Sequence, residues 1–313
     1  MRLHSKDLLG LRETPDEDIA LILDTAKNMK VILDSKNKKA PHLQGKSIVT
    51  LFYENSTRTR LSFELAAKYL SAAAANISAS SSSVAKRETL IDTGRTIERM
   101  GTDIIIIRHP LAGAPHLLAK NLSCSVINGG DGMNEHPTQA LLDMFTILAY
   151  KGSLKGLKVA IIGDILHSRV ARSNIWGLAK MGAEVVLSAP STLLPVDIEK
   201  TGAKIAKTPE DAAYGSDVIM GLRIQLERQK SGLFPTEREY AKFFGVDDRI
   251  LKLAKPDCIV MHPGPVNRGL ELTSVLIDGE HSVIEEQVTN GVAVRMAILY
   301  LLSGARPTRY ATI

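Results

Sequence analysis

Residues 47–70 read SIVTLFYENSTRTRLSFELAAKYL. A β-branched, apolar run leads through a polar loop into apolar residues at helical spacing, so the stretch predicts a strand, a turn and a helix. That succession is the repeating unit of α/β folds. The turn carries Ser56-Thr57-Arg58-Thr59-Arg60. At such a junction the first helical turn aims its unbonded N–H groups, and the positive end of its dipole, past the end of the strand. Three hydroxyls and two guanidiniums crowd the same five residues, and guanidinium planes pair with phosphate or carboxylate oxygens two at a time. Helix capping accounts for one hydroxyl but not for the cluster. The junction therefore reads as an anion site.

Composition sets the limits around it. A chain of 313 residues holds about two domains of roughly 150 residues each, and two domains usually enclose a cleft. With 39 basic and 34 acidic residues, the net charge of +5 favours small anionic ligands without arguing for nucleic acid. Aromatic content of 4%, with a single tryptophan, Trp176, offers no stacking platform for bases. Cys124 and Cys258 are distant in sequence and each adjoins a strand-like run, which predicts buried thiols and a reducing, cytoplasmic setting. The opening MRLHSKDLLG carries charges and no apolar h-region, so no leader is expected, and no run approaches the ~18 apolar residues of a membrane span.

Outward from the junction, Thr14-Pro15-Asp16-Glu17 predicts a helix start with Thr14 as N-cap and Glu17 closing a capping box. Downstream, AAAANISASSSSVAKRETL reads as a short apolar segment, a mobile serine loop ending in Lys86-Arg87, and a new helix from about Thr89 to Met100. Asp103-Ile104-Ile105-Ile106-Ile107 is a buried strand that delivers Arg108-His109-Pro110 at its carboxyl end, the edge where open α/β sheets bind ligands. Ser125 to Asn128 is a further short strand, followed by Gly129-Gly130-Asp131-Gly132 and a nearly all-apolar helix headed by His136-Pro137-Thr138-Gln139. That helix is expected to be buried between the domains.

The polar, glycine-spaced segment 151–156 marks the domain boundary. The expected layout is a first domain over 1–150, rejoined by the last helix at about 286–313, and a second domain over 151–285. Each is an α/β domain with a parallel sheet flanked by helices, and the C-terminal helix packs back on the first. In the second domain, Gly163-Asp164-Ile165-Leu166-His167-Ser168-Arg169 has one glycine where a dinucleotide fingerprint needs three, which argues against nicotinamide or flavin and for a smaller anion. Arg223-Ile224-Gln225 and His262-Pro263-Gly264-Pro265 follow later strands. No metal-ligand spacing appears.

Taken in order, these motifs closely resemble those of the aspartate carbamoyltransferases, in their catalytic chains, essentially end to end. The carriers are Ser56 to Arg60, Ser82 with Lys86, Arg108-His109-Pro110, His136 to Gln139, Arg169, Arg223-Ile224-Gln225 and His262 to Pro265. The resemblance implies transfer of a carbamoyl group from carbamoyl phosphate to L-aspartate in pyrimidine synthesis, with no cofactor. By the family pattern Ser56, Thr57, Arg58, Thr59, Ser82 and Arg108 hold the phosphate. Thr59, Arg108 and His136 act on the carbamoyl oxygen, while Gln139 and the carbonyls of Pro263 and Gly264 take the carbamoyl NH2. Arg169, Arg223 and Gln225 hold the aspartate carboxylates, and Lys86 reaches both substrates. The same pattern implies a homotrimer with shared active sites, in which Ser82 and Lys86 come from a neighbouring copy, and leaves open a regulatory chain or a dihydroorotase as further partners. Two departures from the pattern are Arg87, where glycine is usual, and the alanines at 72–75. The ornithine carbamoyltransferases share the phosphate signature but differ at the acceptor motifs, and a two-domain metabolite sensor would have no use for His136, Gln139 and Lys86.

Overall fold

The β-branched run of the opening stretch forms a strand in the computed structural model of the chain, which describes residues 2–78, 88–224 and 236–304. The chain divides into two compact units: Met1–Leu141 with Asn290–Ile313, and Leu142–Thr289.

In the first unit the elements are α1 (Asp16–Asp34), β1 (Ser47–Phe52), α2 (Thr57–Tyr69), β2 (Ala73–Ser78), α3 (Leu90–Arg99), β3 (Ile104–His109), α4 (Ala114–Asn121), β4 (Ser125–Asp131) and the start of α5 (Pro137–Lys151). All strands are parallel, in the order β2-β1-β3-β4. Val49, Leu51, Ile105, Ile107 and Val126 of β1, β3 and β4 bury one face against Ile97 of α3 and Leu118 of α4, together with Cys124. Parallel strands need a crossover between each pair, and helices supply it here.

Two local expectations are corrected. Helix α1 begins at Asp16 with Pro15 in the N-cap position and no side-chain cap, because the Thr14 hydroxyl instead donates to the Gly10 carbonyl at 2.7 Å. Strand β4 does not end at Asn128 but runs on, buried, through Gly129, Gly130 and Asp131. A side chain at Gly129 would sit 3.2 Å from the Ile107 carbonyl oxygen, so glycine here permits close strand approach.

The second unit contains β5 (Lys158–Ile162), α6 (Arg169–Lys180), β6 (Glu184–Ser188), β7 (Lys204–Ile205), α7 (Pro209–Ala213), β8 (Val218–Gly221), α8 (Glu237–Phe244), α9 (Asp248–Leu251), β9 (Ile259–Met261), α10 (Ser274–Asp278) and the start of α11 (Ile284–Ser303). Its parallel sheet has the order β7-β6-β5-β8-β9. Ala160, Ile162, Val186, Ile219 and Val260 pack against Ala212, Ile250 and Leu276 of the helices. Burial pushes the Cys258 thiol up to about 11, which keeps it protonated and unreactive at neutral pH. Trp176 lies half-buried in α6. Among the described residues no helix is long and apolar enough to cross a membrane.

From Asn290 onward the last helix belongs to the first unit, where Arg295 lies 5.2 Å from the Phe63 ring centre. Both sheets reverse strand order once, between β1 and β3 and between β5 and β8. At such a point the flanking loops diverge and leave a crevice at the carboxyl ends of the strands.

Candidate functional site

The reversal in the first unit lies between the two strand ends that carry the anion-binding motifs. Phe52 of β1 pairs with Arg108 of β3, so the loop leading into α2 and the Arg108 side chain flank one crevice. Ser56 takes the N-cap backbone conformation of α2 but its hydroxyl makes no capping hydrogen bond. Thr57 and Arg58 are exposed and Thr59 is buried in the first helical turn. These are the conditions for an anion site: helical N–H groups without a side-chain cap, beside hydroxyls and a guanidinium. The Arg108 Nε donates to Glu54 Oε2 at 3.1 Å, and the two side chains are only 15% and 21% exposed. His109, next along β3, packs its ring at a tilt against Tyr53 with ring centres 4.7 Å apart and accepts the Leu111 N–H at Nδ1. Burial holds its pKa below the ordinary histidine value, so His109 serves as a neutral support.

His136 sits past the end of β4, buried, where its carbonyl accepts the N–H of Gln139 at 3.0 Å and opens α5. The turn that delivers it is built on two buried carboxylates that motif reading passed over. Asp131 accepts from the N–H of Gly113 and of Glu135 and from the side-chain amides of Asn128 and Asn134, at 2.8–3.1 Å. Glu135 accepts from the backbone N–H of Leu11 at 2.6 Å and of Arg12 at 3.2 Å. A side chain at Gly10 would come within 2.4 Å of the Glu135 carboxylate and push it from its place. The sequence held a signal for Glu135 alone, an acidic residue immediately before the histidine of a strand-to-helix junction.

In the second unit, Arg169 opens α6 just past β5, and Arg223 follows β8. Gly163, with φ of +136°, brings the two loops together, since a side chain there would meet the Leu222 carbonyl oxygen at 2.9 Å. Ser168 caps α6 by accepting from the Ala171 N–H at 3.1 Å. Two guanidiniums, one buried and one half-buried, thus stand at the same sheet edge on either side of the strand reversal. The turn at His262-Pro263-Gly264 follows β9 at this edge too, with Pro263 and Gly264 half-buried. Ser82, Lys86, Arg87 and Gln225 lie outside the described residues.

The Arg223 loop has its own anchor in Glu271, which is 2% exposed. Its carboxylate accepts from the Ile224 N–H at 2.9 Å and from the backbone and side chain of Asn267. Burial, outweighing these hydrogen bonds, raises its pKa above 4.5. The folded protein therefore holds this proton more tightly than the unfolded chain, and stability falls as pH rises from 4.5 through the raised value. Chemical denaturation across that window is expected to show a steeper decline for the native chain than for Glu271→Gln, which has no carboxyl to titrate. Equal slopes would remove Glu271 as the cause.

Known proteins share this architecture. Residues 6–149 match the carbamoyl-phosphate-binding domain of the aspartate/ornithine carbamoyltransferases, and residues 155–302 match their aspartate/ornithine-binding domain. The chain is 74% identical over 303 residues to the aspartate carbamoyltransferase catalytic subunit of Ruminiclostridium cellulolyticum and 72% identical to that of Acetivibrio thermocellus, with 97% of each chain covered in both cases. Among solved structures it is similar to the aspartate transcarbamoylase of Trypanosoma cruzi in complex with carbamoyl phosphate, at a TM-score of 0.85 and 31% identity over 96% of this chain and 97% of that one. It is likewise similar to the ornithine carbamoyltransferase of Pyrococcus furiosus, at a TM-score of 0.87 and 33% identity over 98% and 100% of the chains.

Proposed function

Because the chain belongs to the aspartate/ornithine carbamoyltransferase family, we propose a division of labour between its two units for the reaction it catalyses, transfer of the carbamoyl group of carbamoyl phosphate to the α-amine of L-aspartate. The products are N-carbamoyl-L-aspartate and phosphate, a step of pyrimidine biosynthesis. In this reading Ser56, Thr57, Arg58 and Thr59 hold the phosphate at the head of α2, and Arg108 joins them from β3. As the amine attacks the carbamoyl carbon, negative charge grows on the carbamoyl oxygen. Thr59, Arg108 and His136 stabilise it, since preorganised donors act most strongly where charge develops. Gln139 and the carbonyls of Pro263 and Gly264 accept hydrogen bonds from the carbamoyl NH2. The intermediate collapses by breaking the carbon–oxygen bond to phosphate, and the departing phosphate takes the amine proton.

The observation that carries the choice of acceptor is the pair Arg169 and Arg223 at one edge of the second sheet. Two guanidiniums match the two carboxylates of aspartate, with Arg169 on the α-carboxylate and Arg223, with Gln225, on the β-carboxylate. The ammonium side chain of ornithine would be repelled there. Ser82 and Lys86 complete the site from a neighbouring copy in a homotrimer, and a native mass of one chain with full activity would overturn that part.

An assay offering both acceptors tests the reading: carbamoylation of aspartate is expected, and carbamoylation of ornithine alone would overturn it. Steady-state kinetics of two variants test the division of labour. Losing a charge-assisted hydrogen bond of about 1.5–3 kcal/mol corresponds to roughly a 10- to 100-fold loss of affinity. Arg223→Ala is expected to raise the KM for aspartate by that factor and leave the KM for carbamoyl phosphate in place. Arg58→Ala is expected to do the reverse, and loss of aspartate affinity alone in both would sink the assignment.

A further inference from the structure

A chain of buried hydrogen bonds runs beneath the His262-Pro263-Gly264 turn. Asp143 of α5 is fully buried. One carboxylate oxygen accepts the side-chain amide of Asn174 in α6 at 2.8 Å, and the other accepts the amide of Gln287 in α11 at 2.8 Å. The Gln287 oxygen in turn accepts the backbone N–H of His262 at 3.0 Å. The turn then closes on itself, the Gly264 N–H donating to His262 Nδ1 at 2.9 Å. Gln287 and His262 are 3% and 2% exposed, so water is no substitute partner for them.

The chemistry of the groups makes this chain directional. A side-chain amide offers an acceptor at one end and donors at the other, and nothing in its shape says which end faces which neighbour. A carboxylate only accepts. With Asp143 on one side, Gln287 has to turn its NH2 toward the carboxylate, and its oxygen is thereby aimed at His262. We propose that Asp143 and Gln287 are positioning residues for the carbamoyl group: by orienting the Gln287 amide they fix the His262 N–H, and through it the carbonyls of Pro263 and Gly264 that select the carbamoyl NH2. The inference rests on the role given to those carbonyls above.

The same directionality supplies a rescue. Asp143→Asn leaves an amide able to point its NH2 at another NH2, and Gln287→Glu sets two carboxylates face to face. In the double variant, Asp143→Asn with Gln287→Glu, the central hydrogen bond is restored with its polarity intact. The amide introduced at position 143 now donates to one oxygen of the carboxylate introduced at position 287, and the other oxygen of that carboxylate still accepts from the His262 N–H. The charge of the pair is unchanged.

The readout is discrimination between carbamoyl phosphate and acetyl phosphate, which replaces the NH2 with a methyl group of similar size. Affinities come from steady-state kinetics for the first and competitive inhibition for the second, with thermal midpoints measured alongside. The native enzyme is expected to prefer carbamoyl phosphate at least ~10-fold, the worth of one well-made hydrogen bond. Each single variant is expected to lose most of that preference by weakening carbamoyl phosphate alone, and the double variant to regain it. Folded single variants that keep the native preference would overturn the proposal. So would single variants that weaken both ligands equally, in step with a lowered thermal midpoint, since that is general loosening. A native enzyme that does not discriminate would instead overturn the role of the Pro263 and Gly264 carbonyls.

Discussion

Replacing Arg108 by alanine is expected to lower kcat by about 10²–10³-fold, the usual cost of removing one preorganised donor from a developing oxyanion. Three features support an effect on the chemical step. Arg108 ends β3 opposite Phe52 of β1, at the reversal of strand order where the crevice opens. Its guanidinium is only 15% exposed, so its charge is poorly screened by water. It is oriented before substrate arrives, because Glu54 Oε2 accepts from Nε at 3.1 Å, and a group already aimed needs no reorganisation in the transition state. Arg108→Lys is expected to recover little of the loss, since an ammonium cannot keep a bond to Glu54 in the fork geometry of a guanidinium. The check is kcat at saturating concentrations of both substrates, with a thermal midpoint to confirm folding. A fall of less than about 10-fold in kcat would remove Arg108 from the oxyanion site.

Asp131→Ala is expected to be the most destabilising single change in the first unit, at about 3–5 kcal/mol by chemical denaturation. The carboxylate is fully buried and gathers the N–H groups of Gly113 and Glu135 with the amides of Asn128 and Asn134. Alanine leaves all of these donors without their acceptor and opens a space none of them can fill. The consequence reaches function by a short path, because Glu135 is the residue before His136. In the fraction that still folds, His136 loses its fixed turn, and kcat is expected to fall while the KM for aspartate, which the proposed division of labour gives to the other unit, stays within about twofold. A loss below about 1 kcal/mol would mean that water replaces the carboxylate.

Much of the fold was legible because the local signals were strong. The isoleucines at 104–107 can hardly form anything but a buried strand, and the apolar face of the residues after Thr57 marks a helix. The residues proposed for the site stood out for the same reason: Ser56 to Thr59, Arg108, His136, Arg169 and Arg223 each stand where a periodic segment ends. Other features depend on partners far away in sequence. The strand from Ser125 reads as ending at Asn128, yet Gly129 and Gly130 continue β4, because only the neighbouring Ile107 carbonyl shows that a small residue is needed. Thr14 has the pattern of a cap, but the Gly10 carbonyl claims its hydroxyl. The anchors Asp131, Asp143 and Glu271 carry no motif at all, and Glu135 has only its place before His136. Their meaning lies in the donors they collect, from Leu11 to Glu135 or from Asp143 to Gln287, over separations that no local spacing encodes. The strand orders themselves, which put Arg108 beside the α2 head and Arg223 across from Arg169, are likewise a property of topology.

The position of the chain's one tryptophan gives the molecule a built-in optical label. Trp176 lies half-buried in α6, the helix that Arg169 opens, and every other strong near-ultraviolet emitter is a tyrosine. Light excited selectively at the red edge of the indole band therefore reports from the second unit alone, and the first unit is dark to it. Emission spectra recorded while each substrate is added in turn follow events at the second unit without any dye, tag or substitution.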